Sequence, residues 1–203
     1  FWHNHSEENA IDGLPLKGSR ELVEWVRKQG VEPDAMIVVE PTTLVPVYAH
    51  NGYAKVALEI RGKGAHSSVP EAGINAIERM ASVVSTLKDL RLRLRKDHDT
   101  PLNIGYIGGG REDQVNVVAE TCTLLLDYRC PPNMLTAEDV FQIIRDTLGS
   151  AVHASWPEIE PIPPFYCNPD RPIVRLAANI TGKEPRQIEY YTDGAVYKTL
   201  LND

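Results

Sequence analysis

The sequence predicts an α/β protein interrupted by an inserted β-α-β-β-α-β segment. Three stretches carry that prediction. Residues 35–39 form a short continuous apolar run ending in Glu40-Pro41, the pattern of a strand buried on both faces. From Val45 the texture changes. Tyr53, Lys55, Ala57, Glu59 and Arg61 alternate with Ala54, Val56, Leu58 and Ile60, the period-two mark of a half-buried strand. Beyond Pro161, Pro163 and Pro164 the helix-and-strand texture returns. The expected boundaries are residues 1–46 and 163–203 for the α/β part and 47–162 for the insertion.

The elements follow in order. Residues 1–6 read as a strand leading into Glu7-Glu8, and residues 9–18, with Gly13, Pro15 and Gly18, as a loop. Ser19 is placed to cap a helix carrying Leu22, Val23 and Val26 and ending at Gly30. In the insertion, Ile74, Ile77, Met80, Ala81, Val84 and Leu87 recur at helical spacing. Residues 91–96 are basic and alternating, a solvated edge. Residues 102–107 predict a strand, Gly108-Gly109-Gly110 a turn, and residues 115–118 and 121–128 one strand or two joined by a bulge. Thr136 caps a helix with Glu138 and Asp139 in its first turn and Val140, Ile143, Ile144 and Leu148 as its buried stripe. Residues 154–162 form a weaker, Pro-limited strand. This order defines the split βαβ or ferredoxin-like sandwich, with four antiparallel strands and two helices on one face. After it come a helix with Ile173, Leu176, Ala177 and Ile180 ended by Gly182, a strand over 187–191, a Thr192-Asp193-Gly194 turn, and a helix from Ala195.

Composition excludes several classes. The 203 residues carry 21 Lys plus Arg against 28 Asp plus Glu, a net charge of -7, which lacks the electrostatic footprint of a nucleic-acid binder. No apolar stretch approaches the length of a membrane span. The 3 cysteines, Cys122, Cys130 and Cys167, have no CxxC spacing, which argues against a disulfide scaffold or a thiolate zinc site and fits a reducing, cytoplasmic setting. The opening Phe1-Trp2-His3-Asn4-His5 has neither the initiator Met nor the regions of a signal peptide, and residues 198–203 stop inside a helical pattern. The chain is therefore expected to be a piece of a longer protein.

Chemistry-bearing residues gather in a few places. Glu7 and Glu8 stand at a strand end. Neighbours on an extended chain point to opposite sides, so one acid can bind a metal while the other activates water. Glu40 ends an apolar strand, with Pro41 fixing the turn. The string Gly62-Lys63-Gly64-Ala65-His66-Ser67-Ser68-Val69-Pro70 is the most specific. Its glycines allow backbone conformations closed to other residues, and His66 can donate to an oxyanion or carry a proton. It lacks the spacing of a phosphate loop. Asn116 and Arg129 lie on neighbouring strands; an Arg there clamps a carboxylate, and an Asn offers donor and acceptor. Against these stand plainer readings: a surface Asp127–Arg129 pair, a structural loop histidine at His66, packing for His3 and His5, and no base tied to Cys130 that would make it a nucleophile.

Taken in order, Glu7-Glu8, Val38-Val39-Glu40-Pro41-Thr42, the Gly62 to Pro70 string with Gly73-Ile74-Asn75-Ala76-Ile77, Asn116-Val117-Val118, Asp127-Tyr128-Arg129 and Thr192-Asp193-Gly194 resemble the zinc-dependent aminoacylase and carboxypeptidase family of acetylornithine deacetylase, succinyl-diaminopimelate desuccinylase and glutamate carboxypeptidase. The resemblance covers nearly the whole chain. It implies a catalytic α/β domain holding one or two zinc ions, with Co²⁺ or Mn²⁺ as substitutes, and an inserted ferredoxin-like domain that serves as lid and dimer interface. It implies Glu7 as general base, Glu8 and Glu40 as metal ligands, and His66 as oxyanion donor to a neighbouring subunit. Asn116, Arg129 and the Thr192-Asp193-Gly194 turn then bind substrate. Two departures stand out: Ala119 where the family commonly has Pro, and Tyr190-Tyr191 where it usually has glycines, which changes the pocket. The family's upstream His-x-Asp motif, bridging Asp and final His are absent from these residues, so the piece alone is expected to be inactive.

The activity so implied is hydrolysis of the amide bond of an N-acyl amino acid or small peptide with a free carboxylate, by a homodimer that binds neither nucleic acid nor membrane. Two alternatives come from other classes. One is a non-catalytic dimerisation or lid module pairing through edge strands. The other is a nucleic-acid-binding ferredoxin-like domain, for which only the basic residues 91–96 speak.

Overall fold

A computed structural model describes residues 16–157 and 160–201. The chain divides into two compact units. The flanking unit comprises Phe1–Tyr53, Arg129–Asn133 and Glu158–Asp203, and the insertion unit Ala54–Tyr128 and Met134–Pro157.

The insertion unit contains most of strand β2 (Gly52–Arg61), helix α2 (Ala76–His98), strand β3 (Leu102–Gly109), most of strand β4 (Thr121–Cys130), helix α3 (Ala137–Leu148) and strand β5 (His153–Ser155). The sheet order is β3-β4-β2-β5, with β3 antiparallel to β4 and β5 antiparallel to β2. That is the strand order of the expected split βαβ. Alternation does the work: Val56, Leu58 and Ile60 of β2 and Cys122, Leu124, Leu126 and Tyr128 of β4 are buried, while the residues between them are half-buried. Ala76, Met80, Val83, Leu87, Leu90 and Leu94 of α2 close over that face, and α2 packs on α3. The Tyr128 hydroxyl donates to the Ala137 carbonyl at 2.7 Å, which lets a polar tip sit at the edge of the core.

Several expectations change. The buried stripe of α2 lies beside the predicted one: Val83 is buried, whereas Ile74 and Ile77 are exposed and Ala81 faces water. Residues 91–96 continue α2: Leu94 joins its buried stripe, Arg91, Arg93, Arg95 and Lys96 are exposed as a solvated stretch should be, and Arg95 and Lys96 fall in the last turn, where the helix dipole favours them. Gly108 and Gly109 belong to β3, and only Gly110 leaves it, at φ 69°. Residues 115–118 follow a short 3₁₀ turn (Glu112–Gln114) and form no strand; the irregular register falls inside β3, between Ile104 and Tyr106. Strand β5 is confined to His153–Ser155. Thr136 caps α3 as predicted, with Asp139 returning the bond in a capping box.

The flanking unit has helix α1 (Lys17–Lys28), strands β1 (Val47–His50), β6 (Phe165–Tyr166) and β7 (Arg186–Ile188), and helices α4 (Pro172–Thr181) and α5 (Gly194–Tyr197). Its sheet order is β6-β1-β7, antiparallel then parallel. α1 begins two residues before the expected cap. Leu16 precedes it with no side-chain cap, and Ser19 is buried inside it. Gly30 and Gly182, in the left-handed region, follow α1 and α4 as predicted. Residues 35–39 are not a strand. Ile37 is 69% and Val39 93% exposed, and no strand among the described residues pairs with the run, so its apolar character alone cannot bury it. Residues 1–6 and the first part of the 9–18 loop lie outside the described residues.

Candidate functional site

The His66 loop is held on the insertion unit by backbone hydrogen bonds. Lys63 and Ile74 exchange bonds at 2.9 and 2.8 Å, Ser67 N–H donates to the Asn116 carbonyl at 2.9 Å, and Val118 N–H donates to Ala65 at 2.9 Å. Sequence-distant His66 and Asn116 thus come together, His66 bridging Val117. The glycines serve close approach, not the unusual dihedrals expected of them. A Cβ on Gly62 would stand 2.1 Å from the Ile74 carbonyl oxygen, and one on Gly73 2.7 Å from that of Lys63, while neither residue has positive φ.

This frame fixes the proton on the His66 ring. The backbone N–H of Ser68 donates to Nδ1 at 3.2 Å, and the Ser68 hydroxyl lies 2.8 Å from the same atom. Nδ1 is therefore the acceptor, and the neutral ring carries its proton on Nε2. His66 is exposed, so it presents an N–H donor outward from a rigid loop. The role of Ser68 in setting the tautomer is not legible in the residue order, because it needs the turn geometry.

The flanking unit gathers a second group. Arg129 lies 4.5 Å over the Tyr53 ring and 5.8 Å from the Tyr191 ring centroid. Tyr53 and Tyr191 are buried with Ile162 and Ala195 in one cluster, their rings 5.4 Å apart. Arg129 is thus an arginine held over tyrosine faces. Tyr191 leads into Thr192, whose Oγ1 accepts from Gly194 N–H at 3.1 Å, and Asp193 is buried. Glu40, Thr192 and Gly194 line one cleft of about 350 Å³, together with His50. His50 was not singled out by sequence, because nothing in its strand marks a buried histidine.

The two groups belong to different units. Glu7, Glu8, His3 and His5 lie outside the described residues. Among the described residues no three His, Cys, Asp or Glu side chains are grouped to hold a metal. Glu40 is the one expected ligand among them, and a single carboxylate falls short of the three or four ligands zinc takes. The described donor set therefore does not by itself fit a zinc ion. Cys130 is buried at 1%, which leaves no room for a nucleophile's substrate, and burial pushes the Cys122 thiol up, which disfavours its thiolate.

The insertion unit is thus a four-stranded sheet in the split βαβ order that carries the hydrogen-bonded His66 loop. Residues 48–155 match the peptidase dimerisation domain of the M20 family, more than half of the chain, and the chain belongs to that family. It is 35% identical over 185 residues to the acetylornithine deacetylase of Proteus mirabilis, covering 84% of this chain and 47% of that protein. With the Vibrio cholerae enzyme of the same name it shares 36% over 177 residues, 80% of this chain and 46% of the relative. The chain spans about half the length of the curated relatives it matches. Among solved structures, a tripeptidase of Staphylococcus aureus aligns with a TM-score of 0.67 at 20% identity, over 90% of this chain and 50% of that one. An M20 family metallo-carboxypeptidase of Sulfolobus solfataricus aligns with a TM-score of 0.61 at 17% identity, over 90% and 65%. These structures share the fold. Among the described residues no helix is long and apolar enough to cross a membrane.

Proposed function

We propose that the whole protein containing this chain hydrolyses the amide bond of an N-acyl amino acid or small peptide with a free carboxylate, in the cytoplasm, as a zinc-dependent homodimer. The observation that carries the reading is the His66 loop: a rigid backbone frame, a tautomer set by Ser68, and an outward Nε2–H. The names of the deacetylase relatives support the reaction class.

The chain's own residues divide the work. Glu7, as general base, takes a proton from the attacking water and returns it to the leaving amine. Nε2–H of His66 donates to the oxyanion that develops on the acyl carbon, a stabilisation greatest when the donor is already in place. Arg129, held over the Tyr53 ring, offers N–H donors to the substrate carboxylate, and Asn116 and the Thr192-Asp193-Gly194 turn are further proposed substrate-binding residues. Glu8 and Glu40 are the proposed zinc ligands of this chain. Dimerisation through the insertion, at residues 47–162, is supported by the family match, and β3 leaves an edge strand with Tyr106 and Ile107 exposed. His66 then serves the partner's site, which ties activity to assembly.

The test is Glu7→Gln in the whole protein. Turnover of N-acyl amino acids should fall on the order of 10²–10⁴-fold with metal content unchanged. Loss of bound zinc instead would reverse the roles of Glu7 and Glu8.

A further inference from the structure

The backbone that carries His66 sets a second side chain beside its ring. Ser67 N–H donates to the Asn116 carbonyl at 2.9 Å, and Val118 N–H donates to the Ala65 carbonyl at 2.9 Å. These bonds flank the antiparallel bridge between His66 and Val117. The bridged residues turn their own bonds elsewhere: Val117 N–H donates to the Gln114 carbonyl at 3.0 Å, and the His66 carbonyl accepts from Val69 N–H at 3.0 Å. This is the non-hydrogen-bonded pair of an antiparallel ladder, in which Cα atoms stand only about 4.5 Å apart and the two side chains lie together on one face. Val117 is therefore the cross-strand neighbour of the His66 ring. It is 40% exposed and His66 is exposed too, so the pair offers a ring N–H and a branched hydrocarbon to the same ligand.

The pairing decides which half of a substrate Val117 meets. An oxyanion sits about 2.7–3.1 Å from its donor and about 1.2 Å from the acyl carbon, so that carbon lies roughly 4 Å from Nε2. A group attached to it is within reach of the residue paired with His66. The amino-acid half is directed to Arg129 by its carboxylate, which leaves the acyl half for the His66 rung. Val117 gives that half hydrocarbon and no donor. The arginines of the neighbouring segments are engaged with acids of their own: Arg61 donates to Glu59 at 2.6 Å, and Arg111 donates to Asp113 at 3.1 and 2.8 Å. Lys63 stands on a separate rung, opposite Ile74. A carboxylate brought against the valine loses water with no partner in exchange, whereas an alkyl chain gains from burial there.

We propose that Val117 is a specificity-determining residue of this reaction. Its methyl groups pack against the acyl half of the substrate and select an uncharged aliphatic acyl group over one that ends in a carboxylate. The assignment rests on His66 as the oxyanion donor and adds to it the acyl class and the residue that selects it.

The experiment measures kcat/KM of the whole protein on N-acetyl, N-butyryl and N-succinyl derivatives of one amino acid, the one whose N-acetyl form turns over fastest in a panel. The native protein should favour butyryl over succinyl by about tenfold or more. Val117→Thr keeps the branch and the size but exchanges a methyl for a hydroxyl, and should lower the butyryl-to-acetyl ratio about three- to tenfold. Val117→Lys supplies a cation and should raise the succinyl-to-butyryl ratio about tenfold or more. A disturbed loop would lower all three rates by one factor and leave the ratios in place. Unchanged ratios in either folded variant, or a native protein equally fast on succinyl, would overturn the assignment while leaving His66 as donor. If Val117→Lys does not fold, Val117→Thr decides alone. No turnover of any derivative by the native protein would remove the hydrolytic reading and the assignment with it.

Discussion

The two units use a histidine in opposite ways. In the insertion unit His66 is exposed on a loop, and Ser68 occupies its Nδ1, so the ring offers an Nε2–H donor. In the flanking unit His50 is buried, and the Asn51 carbonyl accepts from its Nδ1–H, so the ring offers an Nε2 acceptor. One side chain type thus gives two chemistries, chosen by a single backbone group beside it. The units differ in packing as well. In the insertion unit Leu58, Met80, Leu87, Leu90, Leu124, Leu126 and Ile144 are almost fully buried, while in the flanking unit Ile37, Val39, Leu44 and Ile180 stand largely exposed.

The packing contrast gives the largest expected effect. Leu87→Ala, at 0% exposure, should cost about 2–5 kcal/mol in denaturant unfolding, the range for large-to-small core substitutions. Ile180→Ala, at 76% exposure, should stay within about 0.5 kcal/mol. Equal costs would erase the difference between the units. Next comes the donor histidine: in the whole protein His66→Ala should lower kcat on the order of 10²–10³-fold with the unfolding midpoint unchanged. A normal rate would leave His66 a structural loop residue. The smallest effect concerns the α3 cap. Thr136→Ala should cost about 1 kcal/mol.

The cap also carries a pH signature. The Thr136 backbone N–H and hydroxyl donate to the Asp139 carboxylate at 2.9 and 2.8 Å and hold its pKa below the usual carboxylate value. The stability gained is therefore fully present above the unfolded-state pKa, about 3.9, and is lost as pH falls through the lower folded value. Thermal melts across that acid range should show the decline in the native chain and a weaker one in Thr136→Ala.

What the sequence made legible follows the same division. The β-α-β-β-α-β order could be read because β2 and α3 bury one face each, and period two or a cap survives in the residue order. The bases of residues 91–96 are solvated as read, but their alternation hid the helix, because charge and leucine at that spacing also fit the buried stripe of Leu90 and Leu94. The strand over residues 35–39 failed because an apolar run specifies burial only when something covers it. His66 and Asn116 were legible by motif. The Arg129 stack on Tyr53 and the orphan Nε2 of His50 were not, because each depends on residues far apart in the chain meeting in space.

The central claim, metal-dependent amide hydrolysis by the whole protein, is tested most directly by measuring release of free amino acid from N-acyl amino acids with added Zn²⁺ and again after chelation. The account predicts release that chelation abolishes and Zn²⁺ restores. Release indifferent to the chelator, or no release from a dimer loaded with zinc, would contradict it, and the latter would leave a non-catalytic dimerisation module.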